Sequence, residues 1–188
     1  ELFPGVEVQY HDAGHILGSA LTTFEFTGNG RRLRLGFTGD LGRPGRPILR
    51  DPEVPPGVDV LVLESTYGNR LHTPSEETDR ALSDVVNRTA RRGGRLLIPS
   101  FAVGRTQEVV ATLHRLCEDG LVPDLPIFVD SPMAKQATDV FRRHPECFDA
   151  ETRQAFENHH GEPFGFARLR YISTQDESRS LNEREGAF

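Results

Sequence analysis

The sequence predicts an α/β fold in two parts, a β-rich opening followed by a longer stretch in which helices and strands alternate. Polar and apolar residues alternate through Arg32–Phe37, the period of a half-buried strand; Val6–Tyr10 and Leu21–Phe26 also read as strands, and Thr27-Gly28-Asn29-Gly30 supplies a hairpin turn between the last of these and Arg32–Phe37. Beyond Gly68 the period changes to helical spacing interrupted by short apolar runs. That order is the mark of a parallel sheet covered by helices, a Rossmann-like lobe with its ligands at the carboxyl ends of the strands. The two parts meet near residue 66.

The elements follow in order. After Val6–Tyr10, Gly14 and Gly18 make a helix through the His11–Ser19 loop unfavourable, so His11 and His15 are not a helical ligand pair. A Pro/Gly-rich connection over residues 42–57 leads to Val58-Asp-Val-Leu-Val-Leu63, an apolar run that reads as a fully buried strand. Thr73 or Ser75 is expected to cap a helix with acidic residues in its first turn, whose apolar positions Ala81, Leu82, Val85, Val86 and Ala90 keep helical spacing to Arg92. Gly93-Gly94 ends it. Arg95–Ile98 is the next expected strand, followed by a Pro99–Gly104 turn and a helix from Arg105 to Cys117. Pro126–Asp130 reads as a strand, Ser131-Pro132 as a helix start, Glu151–Asn158 as a short helix, Arg168–Ile172 as a strand and the residues after Asp176 as a last helix.

Composition narrows the function classes. The 188 residues carry a net charge of −6, which argues against indiscriminate binding of nucleic acid over the whole surface. Lys135 is the only lysine, and the arginines suit bidentate phosphate contacts in a local groove. No apolar run is long enough to cross a membrane as a helix. Cys117 and Cys147 lie far apart and read as free thiols of a reducing compartment. With no leader or transit pattern after Glu1, the expected location is cytoplasmic.

Chemistry concentrates at strand ends. Phe37-Thr-Gly-Asp40-Leu-Gly-Arg43 presents a carboxylate on a glycine-flanked turn, and Asp12-Ala-Gly-His15 places an imidazole after the preceding strand. Imidazole plus carboxylate suits zinc or another borderline divalent metal. Taken singly, Asp40 reads equally well as a turn cap, His15 as a backbone-bonded loop residue, and Glu64 as a surface carboxylate at the end of the Val58–Leu63 strand.

Read together, the strings Asp12-Ala-Gly-His-Ile-Leu-Gly18, Phe37–Arg43, Leu63-Glu-Ser-Thr-Tyr-Gly68 and Pro99-Ser-Phe-Ala-Val-Gly-Arg105 resemble, in that order, the β-CASP branch of the metallo-β-lactamase fold. These are RNA- and DNA-processing nucleases of the ribonuclease J and pre-mRNA 3′-end cleavage type. The resemblance implies part of a metallo-β-lactamase αββα sandwich over residues 1–66 and a β-CASP lobe over 67–188, each incomplete. It also implies that His15 is a zinc ligand, that Asp40 bridges two zinc ions, and that Glu64 orients a histidine that protonates the leaving oxygen. Ser100, Gly104 and Arg105 in the Pro99–Arg105 turn, and Ser131 at the next helix start, become candidates for phosphate or RNA contact through side chains and helix-terminal amides. The implied substrate is RNA, single-stranded, with no membrane partner, and the chain is a candidate homodimer. A DNA-processing member of the branch and a catalytically inactive scaffold that binds RNA or a partner subunit are the alternatives.

The sequence also departs from the branch. It lacks the His-x-His-x-Asp-His metal motif and the two later histidine motifs. The expectation is therefore the middle of a longer nuclease, which by itself binds zinc weakly or not at all and is not competent for catalysis.

Overall fold

The computed structural model describes residues 2–157, 163–184 and 186. The chain divides into two compact units, Glu1–His72 and Thr73–Phe188. Both α/β character and parallel pairing are present, as the sequence predicts.

The first unit is built on one four-stranded sheet, in which β1 (Val6–Asp12), β2 (Ala20–Gly28), β3 (Arg31–Phe37) and β4 (Val60–Val62) lie side by side in that order. Asn29 and Gly30 both take positive φ, 50° and 68°, giving the two-residue turn whose twist matches that of the strands it joins. This turn fixes the β2–β3 register, which sets Glu25 opposite Arg34. The Glu25 carboxylate accepts from Arg34 at 2.8 Å and from Arg32 at 2.7 Å, so the pair supports the register.

The last strand departs from expectation. Only Val60–Val62 forms ladder pairs, parallel to β3, because the Asp59 side chain takes the Arg34 amide (2.7 Å) and the pairing becomes regular only after it. Nor is the strand buried. Val60, Leu61, Val62 and Leu63 are 49–60% exposed. β4 is an edge strand, and among the described residues of this unit there is no helix to form a second layer over the sheet. The buried set here is correspondingly small: Ala13, Leu21, Gly36, Thr38 and Ile48.

In the second unit α1 (Ser75–Arg91) packs Val86 with Leu113 and Leu116 of α2 (Arg105–Glu118) and with Val122. A second cluster joins Val110 to Val129 of β5 (Ile127–Val129) and Ala134 of α3 (Pro132–Arg143). Phe141, Phe148 and Phe164 form an edge-to-face aromatic group, and α4 (Ala150–Glu157) adds Phe156 to it. The expected end of this helix at Asn158 lies outside the described residues, as do His159 and His160. β6 (Leu169–Tyr171) pairs in parallel with β5, and α5 (Gln175–Glu183) follows, capped by Thr174.

Two expectations are corrected here. α1 has Pro74 at its cap position, with no side-chain cap bond. Ser75 is already the first helical residue and so does not cap, and Thr78 closes the first turn onto the Pro74 carbonyl. Arg95–Ile98 is not a strand, because it has no ladder partner among the described residues. The Arg95 guanidinium bonds the carbonyls of Asn182 and Arg184, and Leu96 and Ile98 border a cavity of about 670 Å³ shared with Val110, Leu113 and Val129. The two cysteines are free.

Candidate functional site

Register decides which loops meet in the first unit. Asp12 pairs with Ala20, Thr22 with Phe37, and Phe37 with Val62, so the carboxyl ends of β1, β3 and β4 share one edge of the sheet. His15, Asp40 and Glu64 lie on the three loops that leave those ends.

The first two loops interlock through their backbones. The Gly42 N–H donates to the Ala13 carbonyl at 2.8 Å. A Cβ on Gly42 would lie 1.8 Å from the Gly14 oxygen and 2.7 Å from the His15 nitrogen, so only glycine fits. The His15 loop is further tied by Ser19, whose hydroxyl accepts the His15 amide at 3.1 Å, and by Arg46, whose guanidinium donates to the His15 carbonyl at 3.3 Å. Arg50 pairs with Asp12 at 2.5 Å, anchoring the 42–57 connection beside it.

Glu64 joins the third loop to the second. Its Oε1 accepts the Leu41 amide at 2.6 Å, and its Oε2 accepts the Thr66 amide at 3.3 Å. Buried Thr38 completes the joint: its hydroxyl accepts the Glu64 amide at 3.1 Å and donates to the Gly39 carbonyl at 2.8 Å. The Leu41 amide, then Thr66, and last the nearby His15 hold the Glu64 carboxyl below its usual range. The carboxylate to which the resemblance assigns a histidine-orienting role also braces the Asp40 turn. Asp40 itself is exposed and His15 half-buried, and neither side chain has a hydrogen-bond or ion-pair partner among the described residues.

Thr38 and Ser19 escaped the sequence reading and leave no signal in it, whereas Gly42 is legible there as one of the two glycines flanking Asp40. His11, by contrast, is satisfied locally by Thr23 and Glu53.

The Pro99–Arg105 turn lies in the second unit. Gly104 has φ 82° and ψ −73°, and the Arg105 amide bonds back to the Val103 carbonyl at 3.1 Å, a three-residue turn that glycine alone adopts without strain. Gln107 clamps it. This side chain, 1% exposed, accepts the Gly104 amide at 2.8 Å and donates to Ala102 O at 3.1 Å and Thr138 Oγ1 at 2.9 Å. Thr106 bonds the Phe101 carbonyl through its amide (3.3 Å) and its hydroxyl (2.8 Å). The amides of Gly104, Arg105 and Thr106 are therefore spent within the turn and are not available to a phosphate. The Ser100 side chain is exposed, and the Arg105 guanidinium is 61% exposed beside Glu108 at 3.0 Å. Ser131 caps α3 by accepting the Ala134 amide at 3.1 Å, and with Ser100 it borders the cavity described above.

Comparison with known proteins places this architecture. The Beta-Casp domain family matches residues 106–187. The chain is 36% identical over 185 residues to Ribonuclease TTHA0252 of Thermus thermophilus, covering 96% of this chain and 40% of that protein. It is 34% identical over 173 residues to Endoribonuclease YSH1 of Saccharomyces cerevisiae, covering 89% of this chain and 22% of that one. It is 37% identical over 158 residues to Transcription termination factor FttA of Methanosarcina mazei, covering 82% and 24%. Residues 106–187 belong to the Beta-Casp domain family.

The chain spans less than half the length of these relatives. A zinc site needs three or four nitrogen, sulfur or oxygen donors. Among the described residues, no group of three or more His, Cys, Asp or Glu could hold a metal. His15 and Asp40 have the right chemistry, but a pair does not make the site. No helix among the described residues is long and apolar enough to cross a membrane.

Proposed function

We propose that this chain is part of a zinc-dependent nuclease that hydrolyses phosphodiester bonds in single-stranded RNA. The observation that carries the reading is the joint at the sheet edge, where Gly42 seats the Asp40 turn on the His15 loop and Glu64 holds that turn from the other side. The Asp40 carboxylate is left exposed, with no partner in its own unit, as a group reserved for a cation is. In this reading His15 and Asp40 are the donors this chain contributes to zinc, and the rest of the set is not among the described residues. Glu64 fixes the direction of Asp40, while Arg105 and Ser100 offer charge and a hydroxyl to the RNA backbone. The names ribonuclease and endoribonuclease borne by the relatives support RNA as substrate.

A second reading is an inactive β-CASP scaffold that binds RNA, for which the exposed Arg105 guanidinium suffices without a metal. The longer parent protein separates the two. Incubated with a single-stranded RNA and the matching DNA, it is expected to cut the RNA, and Asp40→Asn is expected to lower the rate at least a hundredfold while leaving RNA affinity in place. Binding without cleavage by the wild type would establish the scaffold; cleavage of DNA alone would move the substrate class.

A further inference from the structure

Phe101 is 86% exposed, although it sits within the most tightly bonded turn of the second unit. Its backbone is not free to withdraw the ring. The Phe101 carbonyl takes both the amide and the hydroxyl of Thr106, the next residue's carbonyl takes the Gln107 side chain, and the chain then reverses at Gly104. Gln107 is in turn locked into the interior by Thr138. A flexible loop can show a phenylalanine to water in passing, but here buried polar groups hold it there. Fully exposing such a ring forfeits the stabilisation its burial would bring, so a fixed, outward aromatic calls for a flat apolar partner. The same turn carries the exposed Arg105 guanidinium, four residues on.

The geometry points to Phe101 as a stacking platform for an unpaired nucleobase, with Arg105 taking a phosphate of the same strand. This rests on the RNA reading given above and names the part of the surface that holds the strand. Aromatic rings stack on any base face and so bind single strands with little sequence preference, and a guanidinium beside the ring adds the salt-dependent backbone contact. A duplex has no free base face, so the platform discriminates against paired RNA. On an acidic chain this confines RNA contact to one place and leaves the bulk of the surface repellent.

The chain contains no tryptophan, which makes F101W a single-fluorophore reporter. Titrated with a single-stranded oligoadenylate, F101W is expected to show saturable quenching, with no quenching by an abasic ribose-phosphate oligomer of the same length. By fluorescence anisotropy of labelled oligoadenylate, F101A is expected to bind roughly tenfold or more weakly than wild type, and F101Y within about twofold of it. R105Q is expected to weaken binding and reduce the salt slope by about one. Quenching by the abasic oligomer equal to that by oligoadenylate would overturn stacking, as would unchanged emission while the wild type binds RNA; both outcomes leave the RNA reading standing. Emission already blue-shifted without RNA would show the ring covered by protein and would also overturn it. Absence of any RNA binding by the wild type would overturn the platform and the RNA reading together.

Discussion

Gly42→Ala tests the interlock of the Asp40 and His15 loops most severely with the smallest chemical change. The new Cβ would sit 1.8 Å from the Gly14 oxygen and 2.1 Å from its carbonyl carbon. Ordinary contact requires the two backbones to part by roughly 1.5 Å. Both atoms are backbone, so no side chain can swing aside. That separation also breaks the 2.8 Å bond from Gly42 to Ala13. Strain of about 1–3 kcal/mol and a lost hydrogen bond worth about 1 kcal/mol give a cost of about 2–4 kcal/mol. For a unit the size of Glu1–His72 this lowers the melting temperature by roughly 10–20 °C. The control is Gly57→Ala, where a Cβ meets nothing within 4 Å, and which is expected to be neutral or slightly stabilising. Thermal unfolding followed by circular dichroism reads both variants. If Gly42→Ala melted within about 2 °C of the wild type, as the control should, the loops would not be in the contact on which the site rests.

Three further outcomes follow from the structure. The Glu64 carboxyl titrates below its ordinary value when folded, so the unfolded chain takes up the proton first. Its contribution is therefore complete above the ordinary carboxylate range and is lost as pH falls through the lowered value; urea midpoints between about pH 6 and 3 should drop less steeply for Glu64→Gln than for wild type. Gln107→Leu keeps the volume but orphans the Gly104 amide and removes the donor that the Thr138 hydroxyl accepts from, although Thr138 keeps its own bond to the Ala134 carbonyl; it should cost about 1–3 kcal/mol in urea unfolding of the second unit, with an unchanged midpoint counting against the clamp. The exposed run Val60–Leu63 on an open strand edge should make the isolated chain self-associate, which a concentration-independent monomer mass in light scattering would contradict.

Much of the site was legible in the sequence because turn chemistry and strand period are local. Asn29-Gly30 dictates a two-residue hairpin, and the hairpin dictates that residues after β1 and β3 emerge at the same edge. What sequence could not show is contact at long range. Thr38 is an unremarkable strand-end threonine until its hydroxyl meets the Glu64 amide, 26 residues away. Gln107 reads as an ordinary helical position, yet its buried side chain takes the Gly104 amide, one of those the Pro99–Arg105 pattern offered to phosphate. The Val58–Leu63 run has the composition of a buried central strand, but composition does not supply a neighbouring layer, and β4 lies at an edge. Arg95–Ile98 fails as a strand for the same reason: period alone does not provide a partner. In the sequence Phe101 is one residue of the Pro99–Gly104 turn, and only accessibility reveals it as surface.

The central claim is that loops from three strand ends form one cation-facing cluster. Titrating the isotope-labelled chain with Mn²⁺ and following amide broadening by NMR tests it directly, because paramagnetic relaxation reports even weak occupancy. Amides of residues 13–15, 39–41 and 64 should broaden first and together, and Asp40→Asn should abolish all three effects at once. Broadening scattered among the chain's 28 acidic residues, or His15 and Asp40 responding at separate concentrations, would contradict it.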